Sequence, residues 1–273
     1  SIRVHERLNQ PYSFHTMIFN WRILLGLISW IALVCMSPKA SAWGVGHTKM
    51  TQAAYDVLPD WQRQLLAPSQ ENLVKQYCLY PDRKDAPEVK PYNIYVKGIH
   101  FHYMPLAGPL ENRKFFIEGA SMFLEKILTA LENNSTEDAA RYLGTFMHVL
   151  QDAGLPGIHS LEGINGMTWR QLSDILPPPD GSHPYYSPAT VFQTIIDQDP
   201  SPDFVVKLSD YKPKLLGAST KEIASNLYEE YVRVVRSGRA ATHPAYQHFC
   251  KGDRKAMIES LQVAARTCAK ICA

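Results

Sequence analysis

Hydrophobic residues recur at helical spacing through most of the chain, and few stretches show the strict alternation that is typical of strands. This pattern predicts helices over the following ranges: 48–58, 60–66, 112–133, 136–152, 188–197, 221–236 and 255–268. Ser135 stands at the N-cap of one of them, ahead of an acidic first turn. The stretches 69–109 and 160–187 contain many turn-forming residues and are predicted to be loops. The sequence therefore predicts an all-α fold, a single compact multi-helix domain with long loops.

The N-terminal segment carries the features of a secretory signal peptide. Met17 is followed by a largely apolar run over 23–36, and an A-x-A cleavage site ends at Ala42. An uncleaved membrane anchor is the alternative, but fourteen apolar residues are short for a membrane span. The predicted division of the chain is an upstream segment with a signal peptide over 1–42, the signal itself being 17–42, and a mature helical domain over 43–273.

Cleavage before Trp43 would make the mature domain secreted or periplasmic, where disulfide bonds form. Four cysteines remain in that domain, at Cys78, Cys250, Cys268 and Cys272, and they permit three pairings. We prefer a disulfide between Cys78 and Cys250, and a zinc site built from all four cysteines is the alternative. The mature chain keeps 24 basic and 25 acidic residues, so its charge gives no reason to expect a stable nucleic-acid partner.

The end of the predicted helix over 136–152 carries the first candidate metal ligands. His148 and Asp152 are four residues apart, so on a helix both side chains leave the same face about one turn apart. An imidazole and a carboxylate placed in this way can share one divalent cation. Pro156 ends the helix and His159 follows it. For the helical pair alone, the alternative is a core histidine that is hydrogen-bonded to its i+4 aspartate.

The start of the mature chain offers a second group of ligands. Cleavage would give Trp43 a free α-amine, with a carbonyl beside it and the imidazole of His47 four residues later. An α-amine has an ordinary pKa of about 8, so it can lose its proton and bind a metal near neutral pH. Removal of the leader would then be required to complete the site. The alternative is a leader end followed by a glycine-rich start without a function.

Together these features resemble the zinc-dependent phospholipase C family, which shares its fold with the S1/P1 nucleases. The resemblance covers roughly residues 43–183 and rests on the order of several short motifs. In chain order, these motifs are Trp43-Gly-Val-Gly-His47, Tyr80-Pro81-Asp82, Gly98-Ile99-His100-Phe101 and His148-x3-Asp152-x6-His159. The resemblance implies a zinc enzyme with three Zn²⁺ ions per chain, held partly by the long loops.

Carried over to this sequence, the motifs imply a set of metal ligands. The first zinc site would consist of Asp82, His100, His148 and Asp152. The second would consist of Trp43, through its amine and carbonyl, and His47, with Asp152 bridging to the first. Asp82 is also the implied general base that activates the attacking water. His102 is an alternative to His100, because the two side chains point the same way if this segment is extended.

The third zinc site departs from the family pattern. His159 would begin it, but six residues separate Asp152 from His159 where the family usually has five. The family's later His-x3-Glu/Asp pair is missing. We therefore assign Glu162, three residues after His159, as the replacement ligand, and His183 is the alternative.

The resemblance implies a secreted zinc-dependent phosphodiester hydrolase of the phospholipase C type, acting on phospholipid head groups. We expect a monomer that contacts the membrane surface only transiently, through loops such as 69–98 or 160–187. One alternative is an S1/P1-type nuclease for single strands, in which Tyr185 and Tyr186 would stack on bases rather than cradle a choline cation. The other alternative is a secreted metal-binding protein without catalytic activity.

Overall fold

The computed structural model describes residues 43–83, 86–93, 110–156 and 203–273. Within these ranges the chain forms helices and short 3-10 turns and no strand, which confirms the all-α prediction. The helices in chain order are α1 (Val45–Asp56), α2 (Asp60–Leu66), α3 (Gln70–Lys75), α4 (Leu110–Glu132), α5 (Thr136–Asp152), α6 (Thr220–Cys250) and α7 (Arg254–Cys272). The 3-10 turns lie at Ala67–Ser69, Tyr77–Leu79 and Pro81–Arg83. None of the described helices combines the length and apolarity that crossing a bilayer requires.

The helical periodicity placed α2 and α5 at their observed bounds and α1, α4 and α7 within a few residues of them. Two predictions were wrong. The predicted loop over 69–109 contains α3, which buries Leu73 and Val74. The helix predicted to end at residue 236 continues to Cys250 as α6, because its extension buries Ala245 and other small residues against α7. The predicted helix over 188–197 lies outside the described residues.

Helix α5 runs through the middle of the described domain. Phe146, Val149 and Leu150 belong to one hydrophobic cluster, and Ala140 and Met147 belong to another. Every residue from 144 to 152 is buried, so this end of the helix meets neighbours on all sides. The polar side chains at its C-terminal end are therefore away from water, where they require partners.

Helices α1, α6 and α7 pack around the C-terminal half of α5. Trp43, which precedes α1, is fully buried, and its ring stacks on Phe204 with the centroids 6.2 Å apart. Helix α7 places Leu261 and Cys268 in the same core, and α6 contributes Tyr231, whose ring lies 4.7 Å from that of Phe116 in α4. The first and the last of the described segments thus meet at the end of α5.

The first turn of α5 anchors the segment that precedes α4. Ser135 occupies the predicted N-cap position, but its hydroxyl donates to the Asp138 carboxylate at 2.8 Å and caps no backbone N–H. Asp138 also accepts from the Tyr92 hydroxyl at 2.6 Å, and the neighbouring Glu137 accepts from the hydroxyls of Ser69, at 2.6 Å, and Tyr77. These bonds hold the 3-10 turns from Ala67 to Arg83 against α5.

Gly144 lets α5 and the Tyr77–Leu79 turn approach each other closely. A Cβ atom at position 144 would lie 2.6 Å from Tyr77 Cβ and 2.9 Å from the backbone nitrogen of Cys78. Most of the atoms that it would meet belong to the backbone or to the base of a side chain, so they cannot move aside by a rotamer change. The position therefore requires glycine for reasons of space.

Gly144→Ala is expected to destabilise the protein by about 1–3 kcal/mol, because an overpacked core shifts its backbone. Helix propensity alone would predict a gain of about 1 kcal/mol for the same change, so the sign of the effect is informative. Urea unfolding of wild type and variant, followed by circular dichroism, measures the difference. A variant as stable as wild type, or more so, would contradict the close approach.

Candidate metal centre

Three side chains from different elements converge beside the end of α5. His47 comes from α1, Asp82 from the Pro81–Arg83 turn and His148 from α5. Each offers one ligand atom, and these atoms all lie within 4.8 Å of one another. Imidazole nitrogen and carboxylate oxygen are the ligands that zinc and similar divalent metals accept in proteins. This group can hold a metal ion.

The carboxylate of Asp152 lies between the two imidazoles. Its Oδ1 is 3.2 Å from Nε2 of His47, and its Oδ2 is 3.2 Å from Nε2 of His148. Oδ1 of Asp82 lies 3.7 Å from Nε2 of His148 on another side. The imidazole rings are stacked, with centroids 3.9 Å apart and planes 17° from parallel. The i, i+4 pair predicted from the sequence is thus part of a larger cluster.

The other ring nitrogen of each histidine is held by α5 or by the adjacent turn. Nδ1 of His148 lies 2.6 Å from the backbone oxygen of Cys78, and Nδ1 of His47 lies 2.7 Å from Oε1 of Gln151. Since a carbonyl oxygen only accepts, both Nδ1 atoms carry hydrogen and both Nε2 atoms face the carboxylates.

Among the described residues, no hydrogen-bond partner is found for the buried Nε2 of His47. This residue is fully buried, so water does not reach its Nε2, and no described group donates a hydrogen bond to that atom. A lone pair that faces carboxylate oxygens is unfavourable unless a cation or a proton lies between them. The donor set and the orientation of the rings therefore fit a divalent metal ion.

The electrostatics of the cluster also favour positive charge. Burial opposes the charged form of His148, but the carboxylates of Asp152 and Asp82 outweigh it and raise the pKa of this histidine to about 9. The same field that holds a proton on the ring attracts a metal ion in its place. Binding of a metal at this site then requires loss of that proton.

Access to the cluster differs from residue to residue. The side chains of His47, His148 and Asp152 are exposed by 4% or less, whereas that of Asp82 is 22% exposed. Asp82 lies in a short 3-10 turn and not inside a helix. Within the described part of the chain, solvent therefore reaches the cluster from the Asp82 side.

The structure brings together four of the eight predicted ligands: His47, Asp82, His148 and Asp152. Trp43 lies next to them through its indole, whose Nε1 donates to the backbone oxygen of Gln151 at 3.0 Å. Its carbonyl accepts from the Gly46 N–H at 2.7 Å, so its role as a ligand through amine and carbonyl stays a prediction. The remaining predicted ligands and their alternatives lie outside the described residues: His100, His102, His159, Glu162 and His183.

The preferred disulfide was wrong. Cys78 is a free thiol, fully buried, whose Sγ donates to the backbone oxygen of Val74 at 2.9 Å. Cys268 and Cys272 are free as well. Burial raises the pKa of Cys78 and that of Cys272 to about 12, so both are neutral thiols near pH 7 in the metal-free protein. The side chain of Cys250 is not among those described.

Two contributors to the cluster were missed by the sequence analysis. They are Gln151, which binds His47, and the backbone oxygen of Cys78, which binds His148. A glutamine directly before a ligand, in a stretch that is otherwise buried, could have drawn attention, whereas a backbone carbonyl leaves no sequence signal.

Comparisons with family models, curated proteins and solved structures find no match to this chain.

Proposed function

We propose that the protein is a zinc-dependent phosphodiester hydrolase of the phospholipase C type. One observation carries the proposal: the cluster of His47, Asp82 and His148, with the Asp152 carboxylate between the two imidazoles. A carboxylate placed between two imidazoles is suited to bridge two metal ions, which is how clustered zinc sites are built. The proposal includes the full set of three zinc ions that the sequence motifs imply.

In this proposal all four side chains would hold zinc, and Asp82, the accessible one, would also activate the attacking water. His47, His148 and Asp152 would hold the metal, and the two imidazole rings are fixed by hydrogen bonds to Gln151 and to the backbone oxygen of Cys78. Bound zinc supplies Lewis acidity that lowers the pKa of water and neutralises charge on a phosphoryl group. Asp82, the most exposed of the four, accepts the proton of the attacking water as the general base.

A phospholipid substrate is supported by exposed apolar side chains outside the cluster. Trp61 is 64% exposed and Leu215 is 91% exposed, and both line an apolar groove that Leu65 and Leu128 also border. Apolar groups of this kind are typical of surfaces that meet membranes or other partners. This surface differs from the loops that the sequence suggested for membrane contact, and the contact itself stays a proposal.

The test uses the natively processed protein, with its N-terminus checked by mass spectrometry and its metals counted by ICP-MS. We expect about three zinc ions per chain that begins at Trp43. We also expect hydrolysis of phosphatidylcholine in vesicles, which is lost on chelation and restored by zinc. His47→Asn is expected to lose zinc and activity together, whereas His248→Asn, a half-exposed position on α6, retains both.

Each of the other possible results would indicate a different function. Cleavage of single-stranded DNA or RNA in preference to the lipid would establish the nuclease alternative. Zinc without hydrolysis of any phosphodiester would establish a metal-binding protein. Absence of zinc from the native protein would overturn the proposal altogether.

A further inference from the structure

Gln151 is a buried polar side chain at the centre of the cluster that is not itself assigned as a ligand. It precedes Asp152 on α5 and is fully buried. Its Oε1 lies 2.7 Å from Nδ1 of His47, and its Nε2 lies 3.0 Å from Oγ1 of Thr51 and 3.7 Å from Sγ of Cys272. Both polar atoms of this side chain thus have partners. Two of these partners, His47 and Thr51, lie on α1, and the third, Cys272, lies on α7.

The amide oxygen of Gln151 determines which nitrogen of His47 can bind a metal. Since this oxygen only accepts, it requires the hydrogen of the imidazole on Nδ1 and leaves the lone pair on Nε2. Nε2 lies 3.2 Å from Asp152 Oδ1, on the side of the carboxylates. In the other tautomer, Nε2–H would donate to Asp152, and the ring could not bind a metal there.

Thr51 and Cys272 hold the amide of Gln151 in this orientation. Thr51 is fully buried on α1, one turn after His47, and its hydroxyl oxygen accepts from the amide nitrogen. A reversed amide would point its nitrogen at His47 Nδ1 and favour the tautomer that cannot bind metal. Sγ of Cys272 donates its own hydrogen to the backbone oxygen of Met147 at 3.7 Å, so toward Gln151 it can only accept. The contacts to Thr51 and Cys272 together favour the observed amide orientation, and the amide selects the tautomer.

The backbone carbonyl of Gln151 binds one residue near the start of the described chain and one near its end. Its carbonyl oxygen accepts from the indole Nε1 of Trp43 at 3.0 Å and from Sγ of Cys268 at 3.3 Å. One residue thus binds the start of the mature chain, helix α1 and helix α7. Its side chain cannot turn away from His47 without disturbing buried hydrogen bonds.

We propose that Gln151 is the positioning residue of this metal site: its amide oxygen keeps hydrogen on Nδ1 of His47, which directs the Nε2 lone pair toward the metal. The proposal rests on the metal site of the proposed function but not on hydrolysis. Hydrogen bonds of this kind to a ligating histidine contribute about 10–100-fold to metal affinity. The residue acts through His47 and touches no substrate.

The test measures the His47 tautomer and zinc affinity separately. The tautomer is read from the imidazole ¹⁵N chemical shifts of the metal-free protein, and affinity for zinc alone from competition with a chelator. We expect Gln151→Met to move the hydrogen from Nδ1 to Nε2 and to weaken zinc binding about 10–100-fold. Gln151→Glu, which retains an accepting oxygen, is expected to keep the wild-type tautomer and to restore most of the affinity. Gln76→Met, an exposed position, is the matched control.

A second variant keeps the test decisive if Gln151→Met does not fold. Thr51→Val removes the partner of the amide nitrogen and conserves the shape, so part of the protein is expected to shift to the Nε2–H tautomer, with a several-fold loss of zinc affinity. A wild-type tautomer in Gln151→Met, or in Thr51→Val, overturns the proposal, even where zinc affinity falls. So does failure of Gln151→Glu to restore binding. A protein that binds zinc without hydrolysing phosphodiesters leaves these readouts intact, so the two proposals fail separately.

Discussion

Asp152→Asn is expected to lose tight zinc binding without loss of the helical fold. The carboxylate lies 3.2 Å from Nε2 of both His47 and His148, so one substitution removes the charge that the two imidazoles share. Asparagine has almost the same shape, and the surrounding packing is retained. Loss of a hydrogen-bond partner of a ligand already costs about 10–100-fold in metal affinity, so loss of a charged ligand is expected to cost at least about 100-fold.

Chelator competition measures this affinity, and circular dichroism confirms that the variant is folded. Asp210→Asn serves as the control, because Asp210 is exposed and lies away from the cluster in the loop before α6. Hydrolysis of phosphatidylcholine should fall with zinc occupancy in Asp152→Asn and stay unchanged in the control. Zinc affinity within about threefold of wild type in Asp152→Asn would remove Asp152 from the metal centre.

The part of the site that local geometry determines was predictable from the sequence. His148 and Asp152 are one turn apart on a helix, and the structure places Nε2 of one 3.2 Å from Oδ2 of the other. Convergence of His47 and Asp82 on this pair depends on how α1 and a 3-10 turn pack against α5. Helical periodicity carries no information about that packing, and only the resemblance to a known family suggested it.

The errors in the predicted fold also come from packing between elements, which the sequence pattern does not show. The sequence predicted a helix that ends at residue 236, but α6 continues to Cys250 through Pro244, because Ala241 and Ala245 are buried against neighbouring helices. The preferred disulfide followed from counting cysteines in a chain expected to be exported. The count could not show that Cys78 fills a buried space beside Val74 and needs no covalent partner.

The metal-free protein is expected to lose stability as the pH rises above 6. The ordinary pKa of histidine is about 6.5, and that of His148 in the fold is raised to about 9. A proton on this ring thus stabilises the folded state by about 3 kcal/mol below pH 6.5, and this stabilisation disappears as the pH rises through about 9. From pH 6 to pH 8 the expected loss in the free energy of unfolding is about 2 kcal/mol.

Urea unfolding in the presence of a chelator, at pH 6 and at pH 8, measures this loss. The upper limit is chosen because the thiols of Cys78 and Cys272, with pKa values raised to about 12, add a loss of the same sign above pH about 8.5. His148→Asn, if it folds, should show a smaller dependence, since it removes the titrating ring.

With zinc bound, the dependence should reverse. The metal takes the place of the proton on His148, so zinc affinity rises with pH, and the zinc-loaded protein gains stability over the range in which the metal-free protein loses it. Measured together, the two slopes identify His148 as the ring for which proton and metal compete. If the stability of the metal-free protein is the same at both pH values, the two carboxylates do not hold a proton on His148, and the strongest electrostatic argument for a cation at this site fails.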